Sequence, residues 1–375
     1  MIYFDSASTS YYKPDAVKHA VIEAISGFGN SGRGGHPIAM EAARAVYGAR
    51  ASLAAFFGAW PNQIAFTHNA TMALNMAIDL LKPGDHVITT VLEHNSVLRP
   101  LYKLQRSGLS LDFVGLAPDG NLDYDSFGNL LRKNTKCVIA THCSNVTGQV
   151  TNLEYLVEFC ERHGLILIVD GAQSAGLIPI DVRHMGRVIV CFTGHKGLLG
   201  PQGTGGLVVS NVDISPTMVG GSGSDSFSQH HQNIFPDLLE AGTLNAHGLA
   251  GLTAGAQYIQ IRGIEAMRKE SLALTNAFEE GIKGICAVRI LGNSMLPKVP
   301  IVCINIGDLD SAEVEAMLSE RGICVRGGFH CSPMAHRALK TEKQGAVRFS
   351  FSSFNTIEQV EIAIQTVSKI AKGCT

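Results

Sequence analysis

The sequence has no apolar stretch of ~18 uncharged residues, so no membrane-spanning helix is expected. It has no long basic run, and its formal net charge is only −2. Nucleic acid and anionic membrane are therefore not expected as main partners. Residues 1–5 lack a basic segment followed by an apolar one, so no signal peptide is expected. The nine cysteines form neither a paired framework nor a tight Cys-x-x-Cys motif. Cys137, Cys191 and Cys303 lie in apolar segments, which suits reduced core thiols in a cytoplasmic protein. There is no internal repeat or low-complexity tract. What remains is a chain of 375 residues with 46% apolar content. That composition suffices for a large core, and the length predicts about two or three domains.

Residues 165–170 are a continuous apolar run ending in Asp170 and Gly171. Such a run reads as a strand buried on both faces, as in a parallel sheet. Its carboxyl end, where open α/β sheets bind ligands, carries Asp170. Residues 187–192 repeat the pattern, and Thr193, Gly194, His195 and Lys196 follow at once. Two strand ends thus present an acid and a lysine, expected to face one crevice. That pair suits pyridoxal phosphate (PLP). The amine forms a Schiff base with the aldehyde, and the acid keeps the pyridine nitrogen protonated. Either residue alone is better read as an ordinary surface or strand-end group. Gln173, Thr193 and His195 beside them favour the cofactor.

Asp170-Gly-Ala-Gln173 and Gly194-His-Lys196 resemble the cofactor motifs of class V, fold-type I PLP enzymes, specifically cysteine desulfurases (group II) and selenocysteine lyases. The resemblance runs from about the first ten residues to the last helix, nearly the whole chain. It implies an α/β fold: a mostly parallel central sheet with helices on both faces, plus a smaller α+β domain. The alternation of strands and helices from residue 63 to 210 agrees with this, with strands expected at 64–67, 86–90, 109–114 and 137–141. A long helix is expected over 246–262, then strands at 288–291, 301–305, 323–325 and 346–351 among helices. The expected division is a large PLP-binding domain, 14–248, and a small domain made of 1–13 and 249–375.

Asn69, Ala70 and Thr71 follow a strand and open a helix, where free N–H groups and the helix dipole favour an anion. Helix capping is the plainer role. The resemblance puts the cofactor phosphate here, although Ala70 removes one donor. It also stacks His94, of the Glu93-His94 pair, on the pyridine face, where it can exchange a proton with substrate. Asn145 falls on the cofactor and substrate side, and Gln173 on the phenolic oxygen; Thr193, His195 and Lys196 complete the cofactor set. Residues 239–245 resemble a segment that crosses a dimer interface, so that Gly242 and Thr243 contact the partner's phosphate. The alternative is a plain helix start capped by Thr243 or Asn245. Arg33-Gly-Gly-His36 resembles an Arg-Gly-x-His segment, or is a surface loop. Residues 219–224 are glycine-rich but lack the Gly-Lys-Ser/Thr ending of a phosphate loop, and are expected to form a loop near the site entrance. Ser6-Ala-Ser-Thr9 departs from the Ala-Ala-Thr-Thr-like turn of the family.

Arg326-Gly-Gly-Phe-His-Cys331 resembles the Arg-x-Gly-x-His-Cys stretch whose cysteine takes sulfur from substrate; Phe329 stands where many relatives have histidine. Cys331 reads as a nucleophile left exposed by a glycine-rich loop and activated by His330 and Arg326. A buried thiol, or a metal site with Cys324, His330 and His336, is the alternative. Arg348 of an Arg-x-Ser motif is expected to grip the substrate carboxylate bidentately, or else to be a surface arginine. The resemblance implies a homodimeric, PLP-dependent cysteine desulfurase acting on L-cysteine. Lys196, His94 and Cys331 are catalytic, and sulfur passes to an acceptor protein. The alternatives are a selenocysteine lyase, a class V aminotransferase or epimerase that does not use Cys331, and a non-catalytic scaffold.

Overall fold

A computed structural model describes residues 1–32, 34–221 and 226–373. Arg33 and residues 222–224, singled out above, lie outside the described residues. Strands β1 (Ile2–Tyr3), β2 (Ile64–Thr67), β3 (His86–Thr90), β4 (Ser110–Val114), β5 (Thr135–Thr141), β6 (Ile166–Asp170), β7 (Val188–Thr193) and β8 (Gly205–Ser210) come first. Strands β9 (Val288–Ile290), β10 (Ile301–Ile306), β11 (Ile323–Cys324) and β12 (Val347–Ser350) follow. The helices are α1 (Asp15–Gly27), α2 (Pro37–Phe56), α3 (Ala70–Ile78), α4 (Asn95–Gln105), α5 (Ser126–Asn129), α6 (Leu153–His163) and α7 (Ala246–Arg262). They continue with α8 (Ile264–Ile282), α9 (Ser311–Ser319), α10 (Pro333–Leu339) and α11 (Ile357–Lys372).

The main sheet runs β2-β8-β7-β6-β5-β3-β4. From β7 to β4 every pairing is parallel, and β8 is antiparallel to both β7 and β2. The expected mostly parallel sheet is thus present, with an antiparallel edge. Side chains alternate along each strand, so the two faces feed two cores. Leu167 and Val169 of β6 join one apolar cluster, with residues of α2, α6 and α7. Ile166 and Ile168 join the other, with residues of α3 and α4. Both faces of the central strands are buried, which is why their sequences are unbroken apolar runs.

A second sheet, β12-β10-β9, is antiparallel, and its core includes Phe278 of α8 and Val360, Ala363 and Val367 of α11. Strand β1 pairs in parallel with β11, and Phe4 enters this core, so the first residues join the later part of the chain. The expected break at 248 falls inside α7. There Leu249, Leu252, Ala256 and Ile259 join a core of the main sheet, so we propose the boundary at Gly263 instead, between α7 and α8. Among the described residues no helix is long and apolar enough to cross a membrane.

One buried ion pair fixes how the 239–245 segment meets the sheet. Arg50 of α2 donates from Nη1 and Nη2 to Glu240 Oε1 and Oε2 at 2.8 and 2.7 Å. Glu240 Oε1 also accepts the Phe66 N–H at 2.7 Å, and the guanidinium lies 4.8 Å from the Phe66 ring centre. Removing one partner strands a buried charge. We expect Arg50→Ala to lose roughly 3–5 kcal/mol of unfolding free energy, and Arg50→Met with Glu240→Leu to lose much less. Urea denaturation of the three proteins measures this; equal losses would show that the pairing is not the source of the cost.

Candidate active site

Gly194 separates β7 from His195 and Lys196, and only glycine fits there: a Cβ would lie 2.1 Å from Thr204 Oγ1. The turn delivers Lys196 beside Asp170 at the end of the neighbouring strand, where both line one cavity. Ala70, Thr71, His94, Asn145, Gln173, Thr193 and His195 line the same cavity, as expected from the sequence. Each comes from a strand end, or from the helix or turn that follows one, in keeping with the rule for open α/β sheets.

The charged pair is strongly perturbed. Burial, and next the positive charge of Arg348, lower the Lys196 pKa to about 8; Asp170, Asp5 and Cys331 oppose that shift. Burial raises the Asp170 pKa, while the Ala172 N–H on Oδ1 (2.9 Å) and Lys196 hold it down. Asn69 caps α3 by accepting the Met72 N–H at 3.0 Å, so capping and lining of the cavity coexist in one segment. His94 caps α4: Nδ1 accepts the Ser96 N–H at 3.0 Å, which places the proton of the neutral ring on Nε2. Burial, then Lys196, Arg348 and Arg99, push its pKa down to about 4. The Ser96 hydroxyl lies 2.8 Å from His94 Nδ1 and 2.7 Å from Thr71 Oγ1, tying the expected phosphate end to the expected ring-stacking residue. Ser96 was not singled out from the sequence; its place two residues after His94, in the first turn of α4, was the available signal.

The geometry fits pyridoxal phosphate. Thr193 Oγ1 is buried with no hydrogen-bond partner. Gln173 Nε2 gives one N–H to Ala7 O at 2.9 Å and keeps a second. A nine-residue helix begins at the cavity with Ala70. Thr193, His195 and the start of α3 would hold a phosphate, Asp170 a protonated ring nitrogen, Gln173 a phenolic oxygen, and Lys196 the aldehyde carbon.

Arg348 comes from β12 of the second sheet and Cys331 from the turn between β11 and α10; neither lines the cavity, and both lie near enough for their charges to act on Lys196. Arg348 is 3% exposed, so it is not a surface arginine. Cys331 is exposed, so it is not a buried structural thiol, whereas Cys137, Cys143, Cys191 and Cys303 are buried. Both His330 and Cys331 adopt left-handed backbone, with φ of 48° and 56°. Non-glycine residues avoid that region, and such strain persists only where surroundings impose it. Here Asn145 Nδ2 donates to His330 O at 2.7 Å, and the Asn95 N–H donates to Cys331 O at 2.7 Å. Asn145 Oδ1 also accepts from Ser332 Oγ at 2.6 Å, so its side chain holds the thiol loop while lining the cavity.

Two expectations about this loop change. His330 does not supply a cation to Cys331. It is buried, its Nε2 lies 3.1 Å from Ala346 O, and burial, Arg348 and His336 hold its pKa far below the usual imidazole range. Arg326 is also engaged elsewhere, with Asp5 Oδ2 at 2.8 Å from its Nη2. Among the described residues, no three His, Cys, Asp or Glu gather as a metal-ligand set. Gly242 and Thr243 do not reach the Lys196 cavity. They line a more spacious depression of about 1150 Å³ with Arg50, Trp60 and Glu240, and Asn245, rather than Thr243, caps α7. Cys331, Asp170 and Lys196 are absent from that depression, so its size does not make it the chemical centre.

The profile described as aminotransferase class-V matches residues 2–362. The chain belongs to the class-V aminotransferase family. Two similar proteins are the probable cysteine desulfurases of Methanothermobacter thermautotrophicus and Pyrococcus abyssi. Each is 33% identical; the matches cover 99% and 100% of this chain and 94% and 95% of theirs. The apo structure of cysteine desulfurase from Thermococcus onnurineus NA1 superposes with a TM-score of 0.93 at 32% identity, covering 99% of this chain and 95% of that one. The cysteine desulfurase CsdA from Escherichia coli gives 0.88 at 27% identity, covering 99% and 94%. The fold is therefore the fold-type I arrangement of PLP-dependent transferases.

A lowered Lys196 pKa has a measurable consequence in this class-V enzyme. An amine captures an aldehyde only when unprotonated. At pH 7 roughly a tenth of an amine of pKa ~8 is free, against a few parts in ten thousand at the usual ~10.4. Capture of pyridoxal phosphate by cofactor-free protein, trapped with borohydride and read by mass, should rise with pH, pass its midpoint near pH 8 and flatten from about pH 9. A rate still climbing steeply past pH 9, or modification that survives Lys196→Arg, would contradict the assignment.

Proposed function

We propose that the protein is a PLP-dependent cysteine desulfurase that converts L-cysteine to L-alanine and keeps the sulfur as a persulfide on Cys331. The observation that carries this is the exposed Cys331 thiol, on a left-handed turn tied to Asn95 and Asn145, beside a cavity that brings Lys196, Asp170 and His94 together. The names of the similar proteins support the same reaction. A class-V aminotransferase or epimerase has no need of a thiol held this way, and a scaffold has no need of a lysine perturbed this way.

Bound in the cavity, pyridoxal phosphate supplies an electron sink for the electron pair left at substrate Cα. The residues of the chain do the rest. Asp170 holds a positive ring nitrogen, and Arg348 binds the substrate carboxylate. Lys196, with its amine partly unprotonated near neutrality, takes the Cα proton. His94, neutral with its proton on Nε2, moves a proton to or from the substrate. The Cys331 Sγ attacks the substrate sulfur. The S–S bond forms as the C–S bond breaks; carbon is reduced, both sulfurs are oxidised, and one thiol proton ends on the alanine methyl group. The persulfide then passes to an acceptor protein, for which an exposed thiol is suited.

The chain is proposed to act as a homodimer with two-fold symmetry, the commonest closed arrangement. Gly242 and Thr243 are exposed and away from their own Lys196 cavity, which suits a role at the partner's. Light scattering of the PLP-loaded protein should give twice the chain mass, 40.0 kDa. A fully active monomer would rule the dimer out.

The reaction is tested by incubation with L-cysteine and with L-selenocysteine. Wild type should release alanine and sulfane sulfur in equal amounts from cysteine without a keto acid. A keto-acid requirement, with no alanine formed, would return the protein to the aminotransferases. Selenium leaves more readily than sulfur, so Cys331→Ala should abolish alanine release from cysteine and retain much of it from selenocysteine. Near-wild-type cysteine turnover in that variant would remove Cys331 from the mechanism.

A further inference from the structure

We propose that Asp5 is a positioning residue for Arg348: with Ser8, it aims the guanidinium at the substrate carboxylate and sets the charge of that subsite. This rests on the proposal that Arg348 binds the carboxylate. Asp5 is 6% exposed and stands between two arginines. Arg326 approaches from Nε and Nη2 to Asp5 Oδ2 at 3.1 and 2.8 Å. Arg348 Nη2 reaches Asp5 Oδ1 at 3.3 Å. Ser8 completes the ring: its Oγ donates to Asp5 Oδ1 and accepts from Arg348 Nη2, each at 2.6 Å. The backbones of Arg326 and Arg348 also pair, with N···O distances of 3.2 and 2.8 Å.

A guanidinium has five N–H donors and binds a carboxylate through two adjacent ones. Arg348 spends one Nη1 donor on Asn145 O at 2.9 Å, and its Nη2 is engaged by Asp5 and Ser8, while Nε is buried with no partner. Every adjacent pair of donors includes Nη2. An incoming carboxylate therefore shares Nη2 with Ser8, whose own bond to Asp5 Oδ1 keeps Asp5 in place, while the ion pair to Asp5 holds the plane of the guanidinium. Charge points the same way. Arg326 is half exposed and also feels Glu315, whereas the buried Arg348 has Asp5 as its one ion-pair partner among the described residues and shares it with Arg326. The buried Arg348 charge is thus only partly balanced, and a single amino-acid carboxylate would complete it. Without Asp5, Arg348 is a buried cation with no counter-ion, and its side chain turns away. Asp5 immediately precedes the Ser6–Thr9 turn, whose Ser8 supplies the hydroxyl.

The test uses PLP-loaded Asp5→Asn, Asp5→Glu, Ser8→Ala and Arg348→Ala. Steady-state kinetics with L-cysteine are read beside equilibrium binding of L-alanine and of ethylamine, the same amine without a carboxylate, by calorimetry. Asp5→Asn is expected to raise KM about tenfold with kcat within about threefold, the size of one charged contact. It should weaken L-alanine by a similar factor and leave ethylamine unchanged, and Asp5→Glu should recover part of the loss. Ser8→Ala, which keeps the ion pairs, should show the same pattern at about threefold, and it carries the test if Asp5→Asn does not fold. An unchanged L-alanine to ethylamine ratio in the Asp5 and Ser8 variants, an equal loss for both ligands, or tighter L-alanine binding would overturn the proposal. If Arg348→Ala also leaves the ratio unchanged, the carboxylate-binding role of Arg348 itself is what has failed.

Discussion

A buried carboxylate next to a buried amine is the constraint on which the rest of this structure depends. Asp170 and Lys196 stand at the ends of adjacent parallel strands, and each makes the other tolerable away from water. Parallel pairing is what makes this arrangement available. In a parallel sheet, neighbouring strands end on the same side, so their C-terminal residues share one crevice. The same geometry brings the start of α3, the cap of α4 and the turn after β5 to that crevice. The site is assembled from five separate segments because five strands of one sheet end near one another.

Direct ion pairs attach the remaining parts. Arg50 and Glu240 pin the 239–245 segment against α2, and Asp5 holds together Arg348 of β12 and Arg326, which follows β11. These pairs are poor sources of net stability, since desolvation consumes much of the attraction. What they provide is definition: a charge buried against a single partner has one place to be. The Arg348 guanidinium and the start of the loop that bears Cys331 are both positioned this way, and the loop is held further by Asn145 and Asn95.

The cavity also shows how neutral imidazoles are made. His94 and His195, which line it, are both lowered to about 4, in each case first by burial. A desolvated imidazole near Lys196 and Arg348 stays uncharged through the physiological range, able to give or take a proton without first losing a charge. His330 follows the same rule, which is why it cannot activate Cys331 as a cation.

Much of this was legible in the order of residues. Strands β6 and β7 are unbroken apolar runs because both faces are buried, and polar groups appear at once where the strands stop. Asp170, Lys196 and the segment opening α3 could be found on that ground alone, and their side chains do share one cavity. The ion pair between Asp5 and Arg348 could not, because its partners are 343 residues apart and pair only after β12 meets the amino-terminal segment. The orientation of His330 was equally hidden: a histidine beside a cysteine looks like an activator until the backbone turns its ring inward. Local patterning determines what each strand end carries. Only tertiary packing decides which distant charge it meets and which donors are left for a ligand, because those depend on distances across the chain that no local period encodes.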